Sequence, residues 1–165
     1  MINKLHSEMI HLYSGDSKRI QHFCKVHSYA KFIAEMEKID KDTQFILEVA
    51  ALTHDIGIHL CEEKYGSCSG KLQEQEGPAL AGKLLDSLGF NETVSERVQY
   101  LIAHHHTYSN VDGIDYQILI EADFLVNLHE DNVSKDAIKN AYDNIFVTET
   151  GKKICREMYG INQNN

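Results

Sequence analysis

Long hydrophobic runs are missing from this sequence. None approaches the roughly 20 apolar residues needed to cross a bilayer, which argues against a membrane-spanning helix, and no membrane partner is expected. The opening stretch MINKLHSEMIHLY is interrupted by Lys4, His6, Ser7 and Glu8 and holds no signal-peptide core, so a cytoplasmic location is expected. Basic residues are the minority, 16 Lys and Arg against 25 Asp and Glu, for a formal net charge of −9. Lys18-Arg19 is the nearest basic cluster and is too short, so a nucleic-acid polymer is not an expected partner. The four cysteines, Cys24, Cys61, Cys68 and Cys155, lack zinc-knuckle spacing and read as reduced thiols. Strand-like alternation is scarce, and there is no internal repeat, low-complexity stretch or linker.

What is present is helical spacing, and it predicts an all-α fold, a single compact bundle of six to eight helices. The expected helices cover about 2–13, 17–38 (N-cap Asp16 or Ser17), 43–55 (N-cap Asp42, closed by Gly57), a helix opening at Pro78 and ending near Gly89, 93–105 (capping box Thr93 and Glu96), 114–130, 135–146 and 149–159. Residues 58–71 read as an irregular excursion rich in Glu, Lys, Gly and Ser.

Ten histidines, unevenly placed, are the unusual count. In AALTHDIG (50–57), small apolar residues end on His54 and Asp55, and a buried carboxylate is costly unless paired, hydrogen-bonded or metal-bound. His22 shares a stripe with Val26, Ala30 and Ile33. His27 points roughly 140° away, beside Lys31 and Lys38, and is expected to face water. His104, His105 and His106 close the helix VQYLIAHHHT, where one histidine would satisfy the helix dipole. Val98, Leu101 and Ile102 mark its inward side, which favours His105, then His104, as inward-pointing. Asp123 interrupts the apolar run ILIEADFLVNL, with Glu121 as the exposed carboxylate of the pair. Together these are imidazoles and carboxylates from four helices, a mixed N/O set for a divalent transition metal. Such an ion activates water and neutralises phosphate oxygens, which an acidic protein otherwise repels.

The order His22, His54-Asp55, Asp123, with the strings HFCKVHSYA, AALTHDIG and EADFLVNL, resembles the HD-domain superfamily of metal-dependent phosphohydrolases over about residues 17–130. The resemblance implies one HD-type domain, 1–165, with C-terminal helices at 134–159 packed on the 17–130 core. It implies a first divalent ion on His22, His54, Asp55 and Asp123, and a second on His104 and His105, with Glu76 or Glu74 in QEQEGPALAG in place of a further histidine. Such a carboxylate favours iron or manganese over zinc, although Fe, Mn, Mg, Zn, Ni and Co all stay open. Relatives often carry a lysine after the signature; here Ile58 stands there, and Lys64 or Lys71 is the expected substitute for gripping phosphate. Asp55 is expected to position an attacking metal-bound hydroxide, with His105 or His59 assisting the leaving group or a phosphate oxygen. The implied activity is hydrolysis of a phosphate ester or anhydride in a small nucleotide-like molecule, with a homodimer left open. The alternatives are a nucleotide-sensing module without turnover and a non-heme di-iron oxygenase.

Overall fold

A computed structural model describes residues 1–161, and among them the chain forms nine helices and no strand. Residues 162–165 of the expected 1–165 unit lie outside the described residues. The helices are α1 (Ile2–Leu12), α2 (Ser17–Met36), α3 (Lys41–Thr53), α4 (Ile58–Tyr65), α5 (Gly70–Leu88), α6 (Glu92–Ile102), α7 (Ile114–Glu130), α8 (Lys135–Asn144) and α9 (Glu149–Tyr159). Their starts follow side-chain capping: Asp16 accepts from Arg19 N, Asp40 from Asp42 N and Thr43 N, Asn91 from Val94 N, and Thr148 from Gly151 N. Two expected caps therefore move upstream. Asp40 and Asn91 hold the extended backbone that aims a side-chain oxygen at the first turn, so Asp42 and Thr93 fall inside their helices.

The core is one continuous apolar cluster. Phe23, Val26, Ala30 and Ile33 of α2 meet Leu47, Ala50 and Ala51 of α3 and Ile118, Leu119, Ala122 and Leu125 of α7. Helices α5 and α6 pair and lean on α3 and α4, while α9 touches α2, α7 and α8. Each buried Leu or Ile contributes about 1.5–3 kcal/mol to holding the α2–α3–α7 seam together.

The helix count exceeds the expected six to eight because 58–71 is not irregular. Ile58 and Cys61, three residues apart, share a buried face and make α4 a helix, which Gly66 ends in the left-handed region. Helix α5 begins at Gly70, so Pro78 sits inside it rather than in its first turn. Next to Pro78, Gly77 lies at a close crossing. A Cβ on Gly57 would stand 3.0 Å from Gly77 N, and a Cβ on Gly77 would stand 2.8 Å from Ile102 Cγ2. Gly57 lets α5 cross the signature turn at that range, and Gly77 leaves room for Ile102 of α6.

Two polar residues also differ from expectation. His27 is not in water; its ring lies 3.0 Å from Glu48 Oε2 between α2 and α3. Glu121 is fully buried rather than exposed, and it accepts from Gln117 Nε2, Val147 N, Thr148 N and Thr148 Oγ1 at 2.5–2.9 Å. The lysine-rich flank of α2 and the run of α7 predict solvent from neighbours in sequence, whereas these partners come from elsewhere in the chain.

Candidate metal centre

The centre is built where α2, the α3–α4 turn, the end of α6 and α7 meet. His22 Nε2 lies 3.2 Å from His54 Nε2 and 3.2 Å from Asp123 Oδ1, and His54 Nε2 lies 3.6 Å from Asp123 Oδ1. Asp55 Oδ2 faces the same point, 3.4 Å from His22 Nε2 and 3.5 Å from His54 Nε2. Its other oxygen, Oδ1, lies 3.7 Å from His105 Nε2. Asp55 thus stands between two ligand triples, His22–His54–Asp123 and Asp55–His105–His106, each with donor atoms within 4.8 Å of one another.

The proton inventory says what these atoms need. His54 Nδ1 donates to Ala51 O at 2.9 Å and His105 Nδ1 to Ile102 O at 2.7 Å. His22 Nδ1 donates to Glu130 Oε2 at 3.0 Å. Neutral imidazoles so held present Nε2 lone pairs, not protons, toward the carboxylates. Asp123 Oδ1 and His105 Nε2 are buried with no hydrogen-bond partner. Acceptors converging on acceptors repel unless a cation lies between them. Separations of 3.2–3.6 Å suit donors sharing an ion at bonds of about 2.0–2.2 Å, so these residues fit a divalent metal.

Titration in the absence of an ion points the same way. Burial disfavours the charged form of every group here, yet opposite charge outweighs it. Asp55 and Asp123 lift His54 to about 9 and raise His22 above its ordinary value. The facing imidazoles hold Asp55 down to about 2 and Asp123 well below the usual carboxylate range. Protons on His22 and His54 are the countercharge that a bound cation would replace. His106 behaves differently: burial and the neighbouring His105 push it down to about 4, so near neutral pH it is an uncharged imidazole.

The remaining sequence candidates lie apart from these triples. His104 donates Nδ1 to Tyr100 O and stacks on the Tyr100 ring at 4.3 Å, so His106 takes the place expected for it beside His105. The helix ends at Ile102, and in the turn that follows helical phase no longer sets side-chain direction; Tyr116 Oη secures that turn by donating to His104 O and Thr107 O. Glu76 is taken by Lys64 Nζ at 2.8 Å and Tyr65 Oη at 2.5 Å, and Glu74 accepts from His106 N and Thr107 Oγ1. His59 stacks on Tyr13 and bonds Asp16, lining a separate apolar hollow on the α1 side. Because α4 is a helix, Lys64 turns toward α5 and His59 toward α1. Neither of them, nor exposed Lys71, lines the cavity of about 420 Å³ onto which the centre opens. Lys18, Arg19, Gln73, His106 and Asn127 line it instead. Asn127 and Glu130 fall four and seven residues after Asp123, on its helical face, a spacing that was available to find them. Tyr13 had no such signal; its hydroxyl donates to Asp55 O at 2.8 Å, pinning the signature turn from the end of α1.

Fold and site together define an all-helical protein built around a His/Asp cluster suited to divalent metal. The HD domain family model matches residues 19–139, and the chain belongs to that family, one of metal-dependent hydrolases. Its structure is similar to the crystal structure of a predicted HD superfamily hydrolase from an uncultured Thermotogales bacterium. The TM-score is 0.69 and the identity 26%, over 96% of this chain and 84% of that one. No curated protein sequence matches the chain significantly. No helix among the described residues is long and apolar enough to cross a membrane.

Proposed function

We infer that the chain hydrolyses a phosphate ester or anhydride of a small nucleotide-like molecule, using one or two divalent ions. One observation carries the reading. His22, His54 and His105 turn Nε2 atoms, and Asp55 and Asp123 turn oxygens, on shared points beneath a cavity with Lys18 and Arg19 on its rim.

A divalent ion held there supplies a water acidic enough to attack near neutral pH and neutralises phosphate oxygens. The protein's part is placement and proton handling. Asp55, with an oxygen toward each triple, is positioned to orient the attacking water. His105 is fixed by Ile102 O, so its Nε2 faces inward. Arg19 is neutralised by Asp16 and Glu62, which leaves Lys18, paired with no carboxylate among the described residues, as the side chain for a phosphate oxygen. Gln73 and Asn127 are uncharged donors for the rest of the molecule.

The test is elemental analysis of the purified protein, then a phosphate-release screen over nucleoside mono-, di- and triphosphates with Mn, Mg, Fe, Co, Ni and Zn. The expected result is bound metal and phosphate release, both lost in Asp55→Ala. Metal-loaded protein that releases no phosphate from any of them would overturn the reading. Sharing of Asp55 between two triples also suits a di-iron oxygenase. A near-ultraviolet band that changes with redox state would favour that second reading.

A further inference from the structure

The three imidazoles that face Asp55 are not held alike. His54 and His105 each give their Nδ1 proton to a backbone carbonyl three residues back, Ala51 O and Ile102 O. These bonds are local and form whenever the turn forms. His22 gives its proton to a carboxylate from a different helix, Glu130 Oε2 at 3.0 Å. Glu130 is the last residue of α7, 108 positions along the chain, and its side chain is only 13% exposed. Its second oxygen accepts from Lys25 Nζ at 2.6 Å, and Lys25 sits one turn after His22 on α2. Lys25, Glu130 and His22 thus form one chain of charge-assisted contacts that ends on a lone pair aimed at the centre.

A carbonyl and a carboxylate both fix a tautomer, but only the carboxylate adds a full negative charge behind the ring. That charge strengthens the imidazole as a donor to a cation and is compensated once the cation binds. A salt bridge serving only to dock α7 on α2 would need Lys25 and Glu130 alone, without the histidine in the middle.

We propose that Glu130, steadied by Lys25, is the positioning residue that holds His22 in its Nδ1–H tautomer and sets the divalent-ion affinity of the His22–His54–Asp123 triple. The inference rests on the reading of His22 as a ligand. It makes the end of α7 part of the centre, so Asp123 and Glu130 act on one ion from one helix, directly and through His22.

The experiment is a Co²⁺ titration of metal-free full-length protein, followed by visible absorbance and competition with a chromophoric chelator. The variants are Glu130→Gln, Glu130→Ala, Lys25→Met and His22→Ala, each also unfolded in urea without metal. Gln keeps an acceptor for Nδ1–H and loses only the charge, so its affinity should fall about 10-fold. Ala loses both, and the fall should approach about 100-fold. Lys25→Met should cost a few-fold, and His22→Ala should lose an equivalent of Co²⁺. Urea midpoints of the metal-free Gln variant and parent should agree, which a purely structural role would not give. Parent-like Co²⁺ affinity in both Glu130 variants, beside a loss in His22→Ala, overturns this inference and leaves the metal centre standing. Parent-like binding by His22→Ala overturns the metal reading and this inference with it.

Discussion

Two carboxylates stand two residues apart on α7, both buried, and they have opposite fates. Glu121 is 0% exposed and Asp123 4%. Glu121 receives two backbone N–H groups, a side-chain amide and a hydroxyl, and it ties the start of α9 to α7. Asp123 receives no such donor; its Oδ1 has no partner and faces two imidazole nitrogens. Burial alone therefore does not mark a functional carboxylate. What distinguishes them is whether the fold supplies donors, because a buried acceptor without donors is stable only when something else brings positive charge.

The largest expected contrast comes from Asp123→Asn. It should weaken ion binding by at least about 100-fold, the scale reached when a partner of one ligand is lost. Above about pH 9, where His54 has lost its proton, its metal-free stability in urea should stay within about 1 kcal/mol of the parent, since a buried charge without a countercharge has been removed; at lower pH it should fall below the parent. If it retained stoichiometric metal by elemental analysis, the contrast between the two carboxylates would break.

Glu121→Ala should do the reverse: keep the ion and lose roughly 3 kcal/mol of unfolding free energy, because buried donors at Val147 and Thr148 are stranded at about 1–3 kcal/mol each. Gly151→Ala tests the same clamp from the other side. A Cβ there would overlap Glu121 Oε2 and Thr148 Oγ1, at a cost of roughly 2 kcal/mol of overpacking. Urea unfolding of the loaded and metal-free forms measures both variants.

A smaller effect concerns pH. His54 is raised to about 9 by Asp55 and Asp123 against its burial. A raised folded-state value stabilises fully below the unfolded value of about 6.5 and is lost as pH rises through about 9. Metal-free protein should therefore weaken between pH 6.5 and 9 in chelator-treated urea series, and Asp123→Asn should flatten that slope. The smallest effect is His104→Ala, which should leave metal content unchanged, whereas His106→Ala should lower it.

Much of the centre was legible in the sequence where helical phase applies. His22 on the stripe of Val26, Ala30 and Ile33, and Asp123 within an apolar run, could be placed because 100° per residue holds along α2 and α7. His54 and Asp55 followed from an apolar helix ending on two ligand-type side chains. The failures cluster where that phase lapses. His104 was favoured over His106 because the helix was extended past Ile102 into a turn. Residues 58–71 looked irregular because Glu, Lys and Gly masked the Ile58–Cys61 face, and the close Gly57–Gly77 approach joins residues 20 positions apart.

The sequence alone determined the helical class, most helix spans and the residue types that converge, since periodicity and capping are local and act within a few residues. Tertiary structure decided which carboxylate of α7 is satisfied and which is left for a cation. It also decided that His106 rather than His104 joins His105, and that Glu130 reaches back to His22. Those outcomes depend on donors and acceptors delivered from distant segments, and their positions are set by packing rather than by neighbours along the chain.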